Sequence, residues 1–195
     1  MRKIAVVFPG QGSQCVGMLS GLENRPSVRE TLDEADSILG YSISEIIARG
    51  PQDLLNQTVH TQPALVVSCV AVYRALVEKT GLVPTYFAGH SLGEFAACAA
   101  SGLLSFADTV KLVRLRAERM QKIAALHPGH MAAVLGLTAE TIDSVCSRCT
   151  DAGFVKPVNF NTPLQTVIAG TGQAFECAKA VSYTHLRAHE TDQYL

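Results

Sequence analysis

Thr85-Tyr-Phe-Ala-Gly89-His90-Ser91-Leu92-Gly93-Glu-Phe-Ala-Ala-Cys-Ala-Ala100 is the stretch that decides the fold. Pro84 precedes a short β-rich run, Thr85 to Ala88, which reads as a strand. Gly89-His90-Ser91-Leu92-Gly93 then matches G-x-S-x-G, and small residues continue as a helix to about Ser101. The pattern needs these residue types. A strand reverses sharply into a helix with the serine at the apex, and glycines two before and two after let neighbouring backbone pass without a Cβ. The hydroxyl is then presented at a helix N-terminus, where free N–H groups and the dipole favour a developing oxyanion. The motif draws its weight from the strand before it and the helix after it. It marks Ser91 as a candidate nucleophile.

Outward toward the N-terminus, Ile4 to Phe8 is a continuous apolar, β-branched run, predicted as a strand buried on both faces of a parallel sheet. Pro9-Gly10-Gln11-Gly12-Ser13-Gln14 breaks it. A dinucleotide fingerprint would need a third glycine at position 15, which is Cys15, so that reading is rejected. Parallel sheets place active loops at strand C-termini. This loop and the elbow both follow strands, so the Gln11 N–H is expected to join that of Leu92 as a two-donor oxyanion hole.

Helices are expected over 27–39, at 53–55, over 64–79 with Gln62-Pro63 opening it, and over 105–125. The last carries an apolar stripe of Val110, Val113, Ala117, Met120 and Ala124. Arg114 and Arg116 fall on opposite shoulders of that stripe at about 100° per residue. Either could reach a pocket and hold a carboxylate through two parallel N–H bonds, and the helical wheel leaves the pair open.

Composition sets the limits. The 195 residues are 48% hydrophobic and 17% charged, with a net charge of −1, which excludes a disordered chain. Charge balance gives no electrostatic case for nucleic acid or an acidic membrane surface. The longest apolar run, Ala64 to Tyr73, is too short to span a bilayer. The apolar stretch after Met1-Arg2-Lys3 is too short for a signal peptide, so a cytoplasmic location is expected. Cys69 and Cys98 read as small core residues. Cys146-Ser-Arg-Cys149 has redox or zinc spacing but lies within a helical pattern, and is read as structural.

His127-Pro128-Gly129 marks a break, and a domain boundary is placed near 127. Beyond it the pattern predicts a strand over 131–137, Thr138 as N-cap of a helix to about Cys149, a strand pair over 155–161 and 165–169, and a helix starting at Ala174. That βαββα order is a ferredoxin-like unit lacking its last strand. Residues 182–195 show no apolar period and interrupt the helix that has just begun. They are expected to be foreign to the gene, the alternative being a true but atypical C-terminus, and the last strand of the subdomain is expected to be missing.

Taken together, several strings in register resemble the malonyl-CoA:acyl-carrier-protein transacylase family. They are Phe8-Pro-Gly-Gln-Gly-Ser-Gln14, Thr61-Gln-Pro-Ala64, Gly89-His-Ser-Leu-Gly-Glu94, Arg116-Ala-Glu-Arg-Met-Gln121, Met131-Ala-Ala-Val-Leu-Gly136, Asn159-Phe-Asn-Thr-Pro163 and Val167-Ile-Ala-Gly170. The resemblance implies an α/β-hydrolase-like parallel-sheet core (1–126) with an inserted ferredoxin-like subdomain (127–181), both incomplete at the C-terminus. It implies that Ser91 accepts the acyl group, that Gln11 and Leu92 supply the oxyanion-hole N–H groups, and that Arg116 rather than Arg114 binds the malonyl carboxylate. Gln62 and Asn161 fall in or near the pocket, and His90 is structural. The partners implied are malonyl-CoA, as substrate, and acyl carrier protein, in fatty acid biosynthesis, with no cofactor and no metal.

The family's general-base histidine falls beyond Leu195. This chain is therefore expected to be truncated and weakly active at best, with an exposed sheet edge. Three rivals remain in view. A serine esterase or patatin-like lipase shares the elbow but has no use for a pocket arginine. A polyketide-synthase acyltransferase domain shares the chemistry. A carrier-protein binding module that has lost catalysis would also fit a missing base.

Overall fold

The computed structural model describes residues 3–185 and 188–190, with side chains from Lys3 to Val181. The chain divides into two compact units, Met1–Lys122 and Ile123–Leu195.

In the first unit β1 (Ala5–Phe8) pairs in parallel with β2 (Tyr86–Gly89), with Phe8 opposite Gly89. Both strands therefore deliver their following loops to the same end. Helices α1 (Pro26–Leu39), α2 (Ile43–Arg49) and α3 (Gln52–Leu55) lead to α4 (Thr58–Thr80), followed after β2 by α5 (Gly93–Ala100) and α6 (Phe106–Leu126). Helix α4 is the centre of the core, its consecutive residues Ala64, Leu65, Val66, Val67 and Ser68 all being buried. A helix apolar all round can only be an interior one, and α1, α2, α3 and α5 pack on it.

Three sequence readings are corrected here. First, β1 is not buried on both faces: Phe8 is enclosed, but Val7 is 70% exposed. Strand periodicity sends alternate side chains to opposite faces, and among the described residues only the Phe8 side meets the helical core. Second, α2 was not anticipated, although Ser42 and Glu45 form a capping signature. Ser42 Oγ accepts the Glu45 N–H at 3.2 Å. Third, α4 begins at Thr58, so Pro63 lies inside the helix rather than in its first turn. A proline there removes one backbone bond and crowds the carbonyl four residues back. The turn before it is held from outside the helix, Thr61 Oγ1 donating to the carbonyl of Leu55.

The second unit runs β3 (His130–Leu135), α7 (Ala139–Arg148), a 3-10 turn at Thr150–Ala152, β4 (Val155–Thr162), β5 (Gln165–Gly170), α8 (Gly172–His185) and β6 (Ala188–Glu190). Its four strands are antiparallel in the order β4-β5-β3-β6. Thr138 caps α7, its Oγ1 accepting the Thr141 N–H. One face of the sheet, with Ala132, Val134, Val155 and Ile168, buries against Ile142, Val145, Phe175 and Ala178 of the two helices.

Two expectations about the end of the chain are corrected. Helix α8 continues past Val181 to His185, and Ala188–Glu190 pairs with Ala132–Val134 of β3 in the position left empty for a last strand. The missing apolar period concerned side chains, whereas a sheet edge is extended by backbone N–H and C=O groups that every non-proline residue carries. Positions 186–187 and 191–195 of the stretch read as foreign lie outside the described residues.

Cys149 is bonded to Cys177 of α8, closing a separation of 28 residues, while Cys146 remains a buried thiol whose pKa burial pushes up to about 11. The Cys-x-x-Cys pair is thus split between a cross-link and a core position. Thiol titration of the oxidised, denatured chain should count Cys15, Cys69, Cys98 and Cys146, and two more thiols after reduction. Reduction should also lower the stability of the second unit by about 2–4 kcal/mol, read from the denaturant midpoint.

Candidate active site

The elbow is built by close approach of backbone to backbone. A Cβ on Gly89 would fall on the carbonyl of Gly93, and one on Gly93 would fall on the carbonyls of Phe8 and Pro9. The second clash matters twice, because it shows that α5 starts directly against the end of β1. The loop after β1 is thereby brought beside the loop after β2. Gly10 in turn lies against His90, where an added Cβ would come 2.9 Å from Nδ1 and from the backbone oxygen, and the His90 N–H donates to the carbonyl of Phe8 at 3.1 Å.

Ser91 is the one described non-glycine residue with positive φ, at 51°. That conformation costs an L-residue about 1–2 kcal/mol and is held by the packing around it. It turns Oγ outward ahead of α5. Leu92, which is buried, is the N-cap of α5, so its N–H belongs to the first-turn amides that have no acceptor within the helix. On the neighbouring loop Gly12 has φ 106°, its N–H donates to Gln14 Oε1 at 2.8 Å, and Ser13 Oγ donates to the carbonyl of Gly10 at 2.9 Å. These bonds stiffen the turn that carries Gln11.

The structure separates the two arginines that the wheel left open. Arg114 donates to Glu118 at 2.8 Å and to the carbonyl of Leu39 at 2.9 Å, and the Glu118 hydrogen bond raises its pKa above the ordinary value. Arg116 points the other way. Its Nη2 donates to Ser91 Oγ at 3.4 Å, its Nη1 donates to Oε1 of the fully buried Gln62, and its Cζ lies 5.9 Å over the Phe95 ring. Burial lowers its pKa, although an arginine remains protonated at neutral pH. Among the described residues no carboxylate pairs with it. A half-buried cation whose partners are an amide, a hydroxyl and a ring is costly in isolation, and its cost falls when an anion arrives.

Of the residues singled out in the sequence, Ser91, Leu92, Gln11, Gln62 and Arg116 all lie in the first unit around this elbow. Asn161 is on β4 of the second unit. Phe95, four residues after Ser91 on the first turns of α5, and Thr58, whose Oγ1 accepts from Gln11 Nε2 at 3.4 Å, belong to the site and were not anticipated. The i,i+4 spacing from Ser91 was the available signal for Phe95. Nothing local marked Thr58. Among the described residues no group of His, Cys, Asp or Glu side chains is arranged to hold a metal ion, and no helix is long and apolar enough to cross a membrane.

Ser91, at positive φ in a strand-to-helix elbow, thus faces a guanidinium that has no carboxylate partner among the described residues, an arrangement of the serine acyl-enzyme class. Residues 5–190 match the acyl transferase domain family, and the chain belongs to it. It is 45% identical over 181 residues to the malonyl CoA-acyl carrier protein transacylase of Escherichia coli (strain K12), a match covering 92% of this chain and 59% of that protein. It has the α/β fold of solved malonyltransferases. The acyl-carrier-protein S-malonyltransferase of Burkholderia pseudomallei superposes with a TM-score of 0.92 at 45% identity, over 98% of this chain and 63% of that one. A malonyl-transacylase solved with a type II PKS acyl-carrier protein gives 0.92 at 41% identity, over 98% and 63%. The chain thus spans about three-fifths of the length of these relatives.

Strain at position 91 is directly measurable. Ser91→Gly should be more stable than Ser91→Ala by about 1 kcal/mol, because glycine adopts the left-handed region without a Cβ penalty. Gly93→Ala should lose several kcal/mol by overpacking. Urea denaturation of the variants supplies both numbers.

Proposed function

We propose that this protein transfers a malonyl group from malonyl-CoA to the phosphopantetheine thiol of acyl carrier protein through a malonyl ester on Ser91, in fatty acid biosynthesis in the cytoplasm. The observation that carries the proposal is the Arg116 guanidinium, half-buried, without a carboxylate partner among the described residues, and 3.4 Å from Ser91 Oγ. The first unit is read as part of an α/β-hydrolase-like core. The second, with strand order β4-β5-β3-β6, is read as a ferredoxin-like subdomain.

In the first half-reaction Ser91 Oγ attacks the thioester carbonyl. The oxyanion forms against the N–H groups of Gln11 and Leu92, the tetrahedral intermediate collapses, and the coenzyme A thiol leaves. The serine proton passes to a base. Among the described residues the hydrogen-bond partner of Ser91 Oγ is Arg116, which stays protonated and cannot serve. In the second half-reaction the carrier thiol attacks the ester and Ser91 is regenerated, so the kinetics are ping-pong. Arg116 holds the malonyl carboxylate in both halves. A charge-assisted pair of this kind is worth about 2–4 kcal/mol, a factor of roughly 30 to 1000 that an acetyl group cannot use. An esterase gains nothing from such an arginine.

Prolonged incubation of the chain with excess malonyl-CoA should give a slow, single malonyl adduct, mapped to Ser91 by peptide mass spectrometry and abolished in Ser91→Ala. Absence of any adduct at saturation, or faster turnover of a nitrophenyl ester than of malonyl-CoA, would overturn the proposal. Arg116→Ala should cut malonyl loading by about 30- to 1000-fold while leaving acetyl loading within a few-fold. Equal losses for both acyl groups would remove the carboxylate role.

A further inference from the structure

Helix α4 reaches the site with its weakest turn. Thr58 to Gln62 precede Pro63, so the backbone bond that would run from position 63 to the carbonyl of Val59 is missing and the proline ring crowds that carbonyl. The N-cap residue, Gln57, makes no side-chain cap. An isolated first turn in this state frays. Yet this turn carries Gln62, whose Oε1 accepts a hydrogen bond from Arg116 Nη1, and Thr58, whose Oγ1 accepts one from Gln11 Nε2. The arginine and the oxyanion-hole loop therefore lean on the same five residues.

Helix α6 supplies what the turn lacks. Gln121 Oε1 accepts the N–H of Val59 at 3.3 Å, and Met120 Sδ accepts from Gln62 Nε2 at 3.3 Å. Val59 is in the first turn, so its N–H is one of those a helix cannot satisfy internally. Its acceptor comes from another helix, five residues beyond Arg116. The Met120 contact has its own consequence. Gln62 is fully buried, and its amide must turn the oxygen to the guanidinium, which only donates. The amide nitrogen is left needing an acceptor, and the thioether sulfur takes that place.

We propose that Gln121 is a positioning residue: by capping α4 at Val59 from the neighbouring helix it fixes the Thr58–Gln62 turn, and through Gln62, locked by Met120, it sets the pose of the Arg116 guanidinium beside Ser91. The proposal rests on the reading of Arg116 as the carboxylate ligand for its effect on specificity, but the cap and its mechanical consequence are independent of that reading. The requirement is for an acceptor at position 121, not for an amide. Glutamate meets it, with the added advantage of negative charge at a helix N-terminus, whereas leucine of similar size does not.

The test compares wild type, Gln121→Leu and Gln121→Glu. Hydrogen exchange followed by NMR on the whole chain reads the Val59 amide and the Arg116 Nε–H. Gln121→Leu should speed exchange at both by about 3- to 10-fold, the worth of one modest hydrogen bond, and Gln121→Glu should restore both. The malonyl-to-acetyl loading ratio at Ser91 should fall several-fold in Gln121→Leu and return in Gln121→Glu. Wild-type exchange at Val59 in Gln121→Leu would overturn the cap. Faster Val59 exchange with Arg116 Nε–H unmoved would overturn the link to the arginine, as would failure of Gln121→Glu to rescue. If wild type loads no malonyl group, the functional proposal falls and the exchange measurements still decide this one.

Discussion

Ser91 is held with φ at 51° between two glycines that have no room for a side chain, and the rest of the first unit is arranged around that constraint. The elbow forms only if β2 stops at Gly89 and α5 begins at Gly93 with the end of β1 directly beneath it. Parallel pairing of β1 with β2, Phe8 opposite Gly89, provides this. One consequence is a hydroxyl presented at a helix N-terminus. Another is the arrival of the Pro9–Ser13 loop beside it, since the carbonyls of Phe8 and Pro9 are the surface against which Gly93 packs. The strain is local, and the buried α4 behind the sheet supplies the rigidity that sustains it.

Arg116 is the second organising feature, and it works by contrast with Arg114. Two arginines two residues apart on one helix have opposite fates because they face opposite sides. Arg114 is neutralised by Glu118 and by the carbonyl of Leu39. Arg116 is surrounded by groups that orient a cation without cancelling it: an amide oxygen, a hydroxyl and an aromatic face. Such an environment keeps the charge available while limiting its motion. The geometry also explains why α4 tolerates Pro63. Its first turn is stitched to α6 and to the β1 loop, so the backbone bond lost to the proline is replaced by bonds across elements.

Much of this was legible in the chain because it is written locally. The G-x-S-x-G spacing, the break at Pro9, and the Gly and Pro punctuation around α4 and β2 are statements about backbone conformation within a few residues of one another. Three of the readings that the structure corrects share one cause. Whether Val7 is covered, whether α4 survives a proline at 63, and whether Ala188–Glu190 can pair with β3 depend on what lies opposite in space. Backbone pairing asks only for extended N–H and C=O groups, so a segment with no apolar period can still complete a sheet.

The sequence alone therefore determined the strand-to-helix elbow with Ser91 at its apex, the loop that follows β1 and the family. Each rests on short-range sterics and on strings of residues that can be read in order. Only the tertiary structure decided that Cys149 joins Cys177 rather than acting with Cys146 and that Gln121 and Met120 reach α4, and it brings to Ser91 the arginine that the helical wheel alone left level with Arg114. These are contacts between residues distant along the chain, and their geometry is set by how helices pack around a common core, which no local pattern records.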